Sequence, residues 1–267
     1  MNKKYNLKEM EILDYVQRNH AMTTAEAVAL TNASESTVRR IFVKLQKDGR
    51  VERVFGGIKK IQEMETYRYH ETVVANVEQK KEIGEIAAQL VGCNEFIYID
   101  CGTTTRQMCE ALAERMESGA IRNIVVVTNS IINLEILGSY CEVIIVGGRY
   151  SIDRKDVSGN LSEAFLEQFR FHKSFLGTDG FSFEQGFTST SAAVSLLGKA
   201  VSKLSEQSFV LMDASKIGRV AAGIICKLEN VDGVITDSAV SRESLNKFAE
   251  HNMKVFVKSG RKGEGGD

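Results

Sequence analysis

A glycine followed by three threonines stands where an apolar run ends and a helical stretch begins. The segment is Asp100-Cys101-Gly102-Thr103-Thr104-Thr105, directly after the run at residues 96–99. A helix that starts at glycine and hydroxyl residues offers backbone N–H and side-chain O–H groups to an anion. The segment matches neither GxxxxGK[ST] nor GxGxxG, so a small phosphate ester suits it better than a nucleotide. Taken alone, it is equally well explained as a threonine-rich helix cap.

Polar groups also follow the other apolar runs of the second part of the chain. They are Thr128-Asn129-Ser130, Gly147-Gly148-Arg149, Gly177-Thr178-Asp179-Gly180 and Asp213-Ala214-Ser215-Lys216. Donors for a phosphate, together with Asp and Asn side chains for hydroxyl groups, suit a phosphorylated sugar. Each segment alone is a weak signal, because Asp179 or Asp213 could equally cap a helix.

Alternating strands and helices must position these groups. Strand candidates are residues 96–99, 124–127, 143–146, 209–212 and 234–235, and helix candidates are residues 106–116, 131–137, 161–169, 192–204 and 242–250. This alternation predicts an α/β domain with a mostly parallel sheet and helices on both faces. Ligands of such sheets bind at the carboxyl ends of the strands, so we expect the polar segments to converge there.

The first 60 residues carry the opposite charge to the rest of the chain. They hold 12 Lys and Arg against 7 Asp and Glu, whereas the remaining residues hold 22 against 28. A basic segment on an acidic remainder is typical of a module that binds a polyanion.

This basic segment has the pattern of three helices and a hairpin. Residues 8–17 carry a helical apolar stripe, and Thr23 to Glu26 form a capping box for a short second helix over 25–30. A third helix begins at Ser34 and runs to Asp48, with Gly49 as its C-terminal stop, and residues 51–58 form a short hairpin. The pattern predicts a winged helix-turn-helix, which places its third helix in the major groove of DNA. The alternative is a helical packing module with solvated arginines.

The predicted DNA contacts lie on the exposed face of the third helix and on the hairpin. They are Ser34, Ser36, Thr37, Arg39, Arg40, Lys44, Arg53, Gly56 and Gly57. Arg39 and Arg40 could each bind guanine or clamp a phosphate, and the sequence leaves both open.

Ser36-Thr37-Val38-Arg39-Arg40, followed by Leu45, Gly49, Val51, Arg53 and Gly56-Gly57, resembles the DNA-binding signature of the DeoR family of bacterial repressors. That signature runs S-x-x-T-[IV]-R-R-D-L, then L-x-x-x-G, then R-x-H-G-G-A. The chain departs from it at Ile41, Phe55 and Ile58, where the family has Asp, His and Ala. These departures concern the wing contacts and the base preference rather than the module itself.

The polar segments of the second part resemble the motifs of the DeoR effector domain, in the same order. The resemblance implies a Rossmann-like fold related to ribose-5-phosphate isomerase and the coenzyme A transferases, with a phosphorylated sugar as effector. By carry-over, the site is lined by Asp100, Gly102, Thr103, Thr104, Thr105, Asn129, Gly147, Asp179 and Lys216. Lys216 would supply positive charge to the phosphate or a donor to a ring oxygen. Gly148, Arg149 and Asp213 join the candidates as residues that follow strands.

These patterns divide the chain into four parts. We predict a DNA-binding domain over 1–58, a linker over 59–77, an effector-binding domain over 78–258 and a flexible tail over 259–267. The linker holds Thr66-Tyr67-Arg68-Tyr69-His70, which could form an aromatic and basic strip for nucleic acid. We favour instead a joint whose tyrosines pack on one domain or the other.

The composition argues against several other classes. No run of about 18 apolar residues could span a membrane, and the polar start does not have the apolar core of a signal peptide. The five cysteines include no CxxC pair and the four histidines are scattered, which argues against disulfides and metal sites. We therefore expect a cytoplasmic protein without cofactors.

A sugar-phosphate isomerase fused to a DNA-binding domain is the rival prediction. Asp100, Asp179, Asp213 and Lys216 could supply its general base and enediolate-stabilising cation. The isomerases that the chain resembles carry D-G-A-D-E and K-G-x-G-G loops. Here no glutamate adjoins Asp179, and the one K-G-x-G-G match is in the tail, at residues 262–266. We therefore predict a sensor and not an enzyme, namely a repressor of a sugar-metabolism operon.

We expect this repressor to be a dimer or tetramer, since one short helix reads too few bases. The identity of the sugar phosphate, the operon and the direction of the response stay open at this point.

Overall fold

The computed structural model of the chain describes residues 3–19, 21–48, 50–60 and 67–258. The predicted helix end at Gly49 and the predicted tail, with its glycine-rich 262–266 segment, lie outside these ranges. The chain divides into two units, Met1–Met64 and Glu65–Asp267.

The first unit consists of three helices and a small antiparallel sheet. Its elements are α1 (Lys3–Asn19), β1 (Ala21–Thr23), α2 (Thr24–Thr31), α3 (Glu35–Lys47), β2 (Val51–Val54) and β3 (Gly57–Lys60). The sheet order is β1-β3-β2, so the hairpin β2–β3 forms a wing beside the helices. The predicted capping box is confirmed: the Thr23 hydroxyl accepts from the Glu26 N–H, and the Glu26 carboxylate accepts from the Thr23 N–H.

The apolar face predicted for the third helix forms the core of this unit. Val38, Ile41, Phe42 and Leu45 are at most 1% exposed and pack with residues of α1 and the wing. Burial of such side chains stabilises a small unit by roughly 1.5–3 kcal/mol each. The opposite face of α3 therefore stays at the surface, with its polar side chains.

The second unit has seven helices and twelve strands within the described residues. The helices are α4 (Tyr69–Thr72), α5 (Val77–Gln89), α6 (Thr103–Glu117), α7 (Ile131–Leu137), α8 (Asn160–Leu166), α9 (Ala192–Leu204) and α10 (Arg242–Glu250). The strands are β4 (Phe96–Ile99), β5 (Val125–Thr128), β6 (Glu142–Ile145), β7 (Arg149–Ser151), β8 (Asp156–Ser158), β9 (Phe171–Gly177), β10 (Gly180–Ser182), β11 (Gly186–Ser189), β12 (Ser205–Leu211), β13 (Gly223–Cys226), β14 (Gly233–Ile235) and β15 (Val255–Phe256). Two short 3₁₀ helices cover Ala214–Lys216 and Leu228–Asn230.

Seven strands form a parallel sheet in the order β15-β14-β12-β9-β4-β5-β6. Side chains alternate between its two faces, so Ile97 and Ile99 join one apolar cluster while Tyr98 joins the other. The first cluster includes residues of α5, α6 and α7, and the second includes residues of α8, α9 and α10. The predicted α/β class, with helices on both faces of a parallel sheet, is confirmed.

The central strand β9 was missed by the sequence analysis. Its sequence, FHKSFLG, interrupts the apolar run with three polar residues, of which Ser174 donates to the Ser208 hydroxyl. His172 accepts the Phe96 N–H at 3.0 Å, and Lys173 donates to the Leu90 carbonyl at 2.8 Å and pairs with Glu95. These polar residues are satisfied at the amino end of the strand, while Phe175 and Leu176 enter the core.

A β7–β8 hairpin folds across the carboxyl end of β5. The Val157 N–H donates to the Asn129 carbonyl at 2.7 Å, and Ser130 bridges to Asp156. The hairpin therefore brings Arg154, in the loop between β7 and β8, to the edge of the sheet where a ligand is expected.

In the parts of the chain that the structure describes, no helix is both long enough and apolar enough to cross a bilayer.

Candidate functional site

A cavity lies at the carboxyl ends of β4 and β9. Seven of the predicted effector-binding residues line it, and they are Asp100, Gly102, Thr103, Thr104, Thr105, Asp179 and Lys216. The lining also includes residues that the sequence analysis had not selected, namely Tyr67, Thr72, Lys80, Cys101, Arg154, Gly177, Thr178, Ser189 and Val194.

The start of α6 forms one wall of the cavity. Gly102 has a φ of +133° as the N-cap residue, a conformation that favours glycine, and among the described residues no side chain caps this 15-residue helix. The backbone N–H groups of the first turn therefore stay available to an anion. Thr104 is half-exposed at this turn, whereas Thr105 is buried and donates its hydroxyl to the Gly102 carbonyl.

Asp100 is 3% exposed at the end of β4, and its carboxylate accepts the Gly177 N–H at 3.3 Å. Burial raises the pKa of Asp100 to about 7, and Asp156 adds to the shift, while backbone N–H groups and Arg154 oppose it. The neighbouring Cys101 thiol donates to Asp156, and burial raises its pKa well above the usual range. That thiol is consequently a packed group and not a nucleophile.

Arg154 is the centre of a buried polar cluster. Its Nε donates to Asp156 at 3.0 Å, and its Nη1 donates to the Thr190 hydroxyl at 3.1 Å and lies 3.6 Å from Asp179. Its guanidinium stands over the ring of Tyr67, 4.2 Å from the ring centre. The side chain is only 12% exposed, so these contacts fix the planar cation at the cavity wall.

Two lysines reach the cavity from other elements. Lys80 of α5 is 3% exposed and donates to the carbonyls of Thr72 and Ala75, both at 2.6 Å. Burial lowers the pKa of Lys80 to about 8, with Asp213 opposing the shift and Lys216 adding to it. The two ammonium groups and the Arg154 guanidinium make the cavity wall rich in positive charge.

Residues 67–76, which we call the strap, cover this side of the cavity. Tyr67 stacks on Arg154, and the Tyr69 N–H donates to the Asp153 carbonyl at 2.8 Å. Further along, the Thr72 carbonyl accepts from Lys80, and Asn76 Nδ2 donates to Asp213 at 3.2 Å. The strap thus contacts Arg154 and Lys80, which line the cavity.

Five predicted effector-binding residues do not line the cavity. Asn129 is fully buried beneath the β7–β8 hairpin, and its amide group has no hydrogen-bond partner among the described residues. The Gly147 carbonyl accepts from Ser162, and a Cβ on Gly148 would overlap the same hydroxyl. Arg149 is exposed at the start of β7.

Asp213, the fifth of these residues, caps the 3₁₀ helix Ala214–Lys216. It accepts the Ser215 N–H at 3.1 Å and one N–H of Asn76. It therefore holds Lys216 and the strap in place from behind the cavity.

Among the candidate general bases, Asp179 is also engaged. One of its oxygens accepts from the Ser189 hydroxyl and from both the N–H and the hydroxyl of Thr190, at 2.8–2.9 Å. Asp100, whose pKa burial raises to about 7, also lines the cavity and accepts the Gly177 N–H. Within the described ranges, no group of three or more His, Cys, Asp or Glu side chains is placed to hold a metal ion.

The predicted DNA contacts lie along α3 and the wing of the first unit. Ser34, Ser36, Arg39 and Arg40 are exposed, and Thr37 is half-exposed. Ser34 caps α3, and its hydroxyl lies 2.9 Å from that of Thr37 and 3.0 Å from that of Ser36. These hydroxyl groups and arginines form a continuous polar surface at the amino end of the helix.

Other predicted contacts have partners within the unit. Lys44 forms a salt bridge with Glu9 at 2.6 Å, and the guanidinium of Arg53 stands 5.8 Å from the ring centre of Phe42. Arg39 pairs with Glu35 one turn earlier on α3. Gly56 is exposed at the tip of the wing, whereas Gly57 is buried against Met22.

Arg154, Tyr67 and Lys80 were not among the residues predicted to line the site. Arg154 lies in a loop after a three-residue strand, which is too short to leave a periodic signal. Tyr67 was noticed as an aromatic residue but assigned to the linker. Lys80 lies in the first turns of α5, and only the tertiary structure shows that its side chain turns inward.

Two family models match most of the chain. A model of the DeoR-like helix-turn-helix domain matches residues 9–64, and a model of the DeoR C terminal sensor domain matches residues 75–238. Together they confirm the predicted arrangement of a helix-turn-helix unit followed by a sensor domain.

Several curated proteins are similar over nearly their full length. The uncharacterized HTH-type transcriptional regulator FruR of Bacillus subtilis (strain 168) is 31% identical over 92% of this chain and 95% of its own. HTH-type transcriptional regulator IolR of the same organism is 24% identical over 94% and 98%. Transcriptional repressor AccR of Agrobacterium fabrum (strain C58) is 24% identical over 94% and 96%.

The solved structures that are similar include ribose 5-phosphate isomerase A from Methanocaldococcus jannaschii. It is 16% identical, covers 54% of this chain and 55% of its own, and gives a TM-score of 0.41. At this score the likeness identifies neither an activity nor a ligand.

Proposed function

Because the chain belongs to the DeoR family of transcriptional regulators, we propose that it represses a sugar-metabolism operon and that a phosphorylated sugar controls its binding to DNA. The observation that carries the proposal is the cavity itself. It combines the uncapped start of α6 with three buried or half-buried cations, in the same chain as an exposed recognition helix.

The phosphate group would bind at the start of α6. The N–H groups of Thr103 to Thr105 and the Thr104 hydroxyl supply donors, and the helix dipole favours an anion there. Lys216 and Lys80 supply positive charge to the same cavity. A phosphate dianion accepts several hydrogen bonds at once, so this donor-rich wall suits it better than a neutral ligand.

The sugar hydroxyls would lie towards the part of the wall that carries the carboxylates. Asp100, Asp179 and Thr178 offer acceptors and a hydroxyl there, and Arg154 offers donors. Ligand hydroxyls that donate to these carboxylates add hydrogen bonds to a charged acceptor, which a ligand without hydroxyls does not form. This wall therefore supports a polyhydroxylated ligand over a bare phosphate.

The strap connects the cavity to the DNA-binding unit along the chain. Its first described residue, Tyr67, follows the end of the first unit closely in sequence. A ligand that shifts Arg154 or competes for the Lys80 ammonium would change the contacts that hold the strap. We propose that effector binding lowers operator affinity by this route, since the two states differ in their contacts with the ligand.

On the DNA side, α3 would lie in the major groove, with Ser34, Ser36, Thr37, Arg39 and Arg40 towards the bases and phosphates. Arg53 and the Gly56-Gly57 turn would lie at the backbone or minor groove. One such helix reads too few bases for operator specificity, so we infer a dimer or tetramer. A protein with this partner acts in the bacterial cytoplasm, where the chromosome is.

We infer further that the cavity senses its ligand and does not transform it, and that it needs no cofactor. Two of the three candidate bases are committed to fixed hydrogen bonds, which supports this choice. The curated relatives named above are transcriptional regulators.

The test uses the full chain and the DNA upstream of its own gene in mobility-shift titrations. We expect a discrete complex that Arg39→Ala weakens at least about 10-fold. We also expect a sugar phosphate to dissociate the complex of the wild-type protein with this DNA. Steady conversion of that sugar phosphate to a ketose or aldose isomer, without any DNA complex, would instead favour the enzyme.

A further inference from the structure

Phe55 stands at the tip of the wing with its entire side chain in solvent. Its exposure is 109% of the reference value, the largest among the exposed hydrophobic residues of the described chain. A phenylalanine side chain carries about 150–250 Å² of surface that gains free energy on burial. Single hydrophobic residues at the surface are common, so the support of this ring and the charge around it decide whether it has a partner.

The wing holds the backbone beside this ring in a fixed position. The Gly56 carbonyl, next in the chain, accepts both the N–H and the hydroxyl of Thr24, at 2.8 and 2.9 Å. Gly57 packs so closely on Met22 that a Cβ would overlap the backbone there. Val51 and Ile58, in the two strands of the hairpin, are at most 2% exposed. The ring is therefore presented by a rigid support, which lowers the entropy cost of binding.

The charge of the unit that bears the ring indicates the partner. This unit has an excess of basic residues, and Arg40 of α3 and Arg50, which follows α3, are exposed. A fitting partner has to offer apolar surface framed by negative charge. The minor groove of DNA has this chemistry, because deoxyribose faces line it and phosphates flank it.

We propose that Phe55 inserts its ring into the minor groove of the operator, against the deoxyribose faces, beside the major groove that α3 occupies. The proposal rests on the proposed DNA-binding function and adds to it an uncharged anchor on the wing. Such an anchor contributes affinity through apolar contact, whereas the arginines contribute through phosphates.

The experiment combines hydroxyl-radical footprinting, which reports on deoxyriboses in the minor groove, with binding titrations over a range of salt concentrations. The full-length wild type, Phe55→Ala and Phe55→Leu are compared on the upstream DNA. We expect Phe55→Ala to lose the protection at the wing positions and at least about 10-fold in affinity, with Phe55→Leu in between. The dependence of affinity on salt should not change, because no charge is removed.

Met10→Ala is the matched control, since Met10 is a 62% exposed apolar residue on α1 of the same unit. Thermal melting identifies any variant that fails to fold, and Phe55→His then serves as a second variant. If Phe55→Ala keeps the wing protection and an affinity within about 2-fold of the wild type, this proposal is overturned while the proposed function stands. A wild type that protects no DNA overturns the proposed function and this proposal with it.

Discussion

The guanidinium of Arg154 lies 4.2 Å from the ring centre of Tyr67. This contact joins the loop of the β7–β8 hairpin to the first described residue of the strap. The same cation bonds to Asp156 and lies 3.6 Å from Asp179. A change at the cavity wall is thereby connected, through one stacked pair, to the segment that follows the DNA-binding unit in the chain.

Removal of the Tyr67 ring should uncouple the strap from the cavity. We expect Tyr67→Leu to need at least about 10-fold more sugar phosphate for operator release, since a desolvated cation–π pair contributes up to about 2 kcal/mol. Operator affinity without the effector should stay within about 2-fold of the wild type, because α3 is unchanged. Tyr140→Leu, at a 44% exposed tyrosine after α7, is the control. A normal release curve for Tyr67→Leu would remove the strap from the mechanism.

Loss of the Thr104 hydroxyl should weaken effector binding. Thr104→Val keeps the size of the side chain but removes one donor to the proposed phosphate, which costs about 1.5–3 kcal/mol when the partner is charged. Isothermal titration calorimetry should therefore show affinity lower by about 10-fold or more, while DNA binding persists. Ser139→Ala, which removes an exposed hydroxyl after α7, should bind as the wild type does. Equal affinities for Thr104→Val and wild type would refute the phosphate position.

The buried carboxyl of Asp100 should make stability depend on pH. Its pKa in the folded chain is about 7, above its ordinary value of 3.8, so the folded state binds the proton more tightly than the unfolded state. Asp100 therefore contributes fully to the free energy of unfolding below about pH 4. This contribution, about 4 kcal/mol at most, is lost as the pH rises to about 7.

Asp100→Asn isolates this contribution, since the amide oxygen can still accept the Gly177 N–H. Thermal melts between pH 4 and 8 should show the wild type losing stability relative to Asp100→Asn across that window. Parallel curves for the two proteins would show that Asp100 titrates as it does in the unfolded chain.

Substitution of either partner of the Glu35–Arg39 pair on α3 should change DNA affinity, and the two changes should be in opposite directions. Arg39→Ala should weaken operator binding by about 1–3 kcal/mol and, if Arg39 clamps a phosphate, lower the salt slope by about one. Glu35→Gln should tighten binding by about 3-fold, because it removes a negative charge that faces the phosphates and a competitor for Arg39. Arg122→Ala, at an exposed arginine of the second unit, is the control. Weaker binding by Glu35→Gln would place Glu35 itself among the DNA contacts.

Local signals accounted for the parts of the fold that could be predicted. The capping box at Thr23 and Glu26 and the bounds of α7, α9 and α10 follow from patterns that a short segment contains by itself. The parallel sheet followed from the alternation of apolar runs and helices. The strand β9 escaped because His172 and Lys173 find their partners in residues that are distant in sequence.

Of the residues that line the cavity, those at the start of α6 and also Asp179 and Lys216 were predicted from the sequence. Arg154 could not be found from the sequence, because only the folding of a short hairpin over β5 brings it to the cavity. The same hairpin buries Asn129, which a rule based on strand ends had placed among the ligand contacts. Tyr67 was assigned to a linker because its partner, Arg154, lies far away along the chain.

The most direct test of the account is fluorescence anisotropy of the full chain on a labelled fragment of its own upstream DNA, titrated with phosphorylated sugars and with their unphosphorylated counterparts. The account predicts saturable DNA binding that one sugar phosphate abolishes, while the unphosphorylated sugar and inorganic phosphate have no effect at the same concentration. DNA binding that no sugar phosphate shifts would contradict the assignment of the cavity, and no specific binding at all would contradict the repressor.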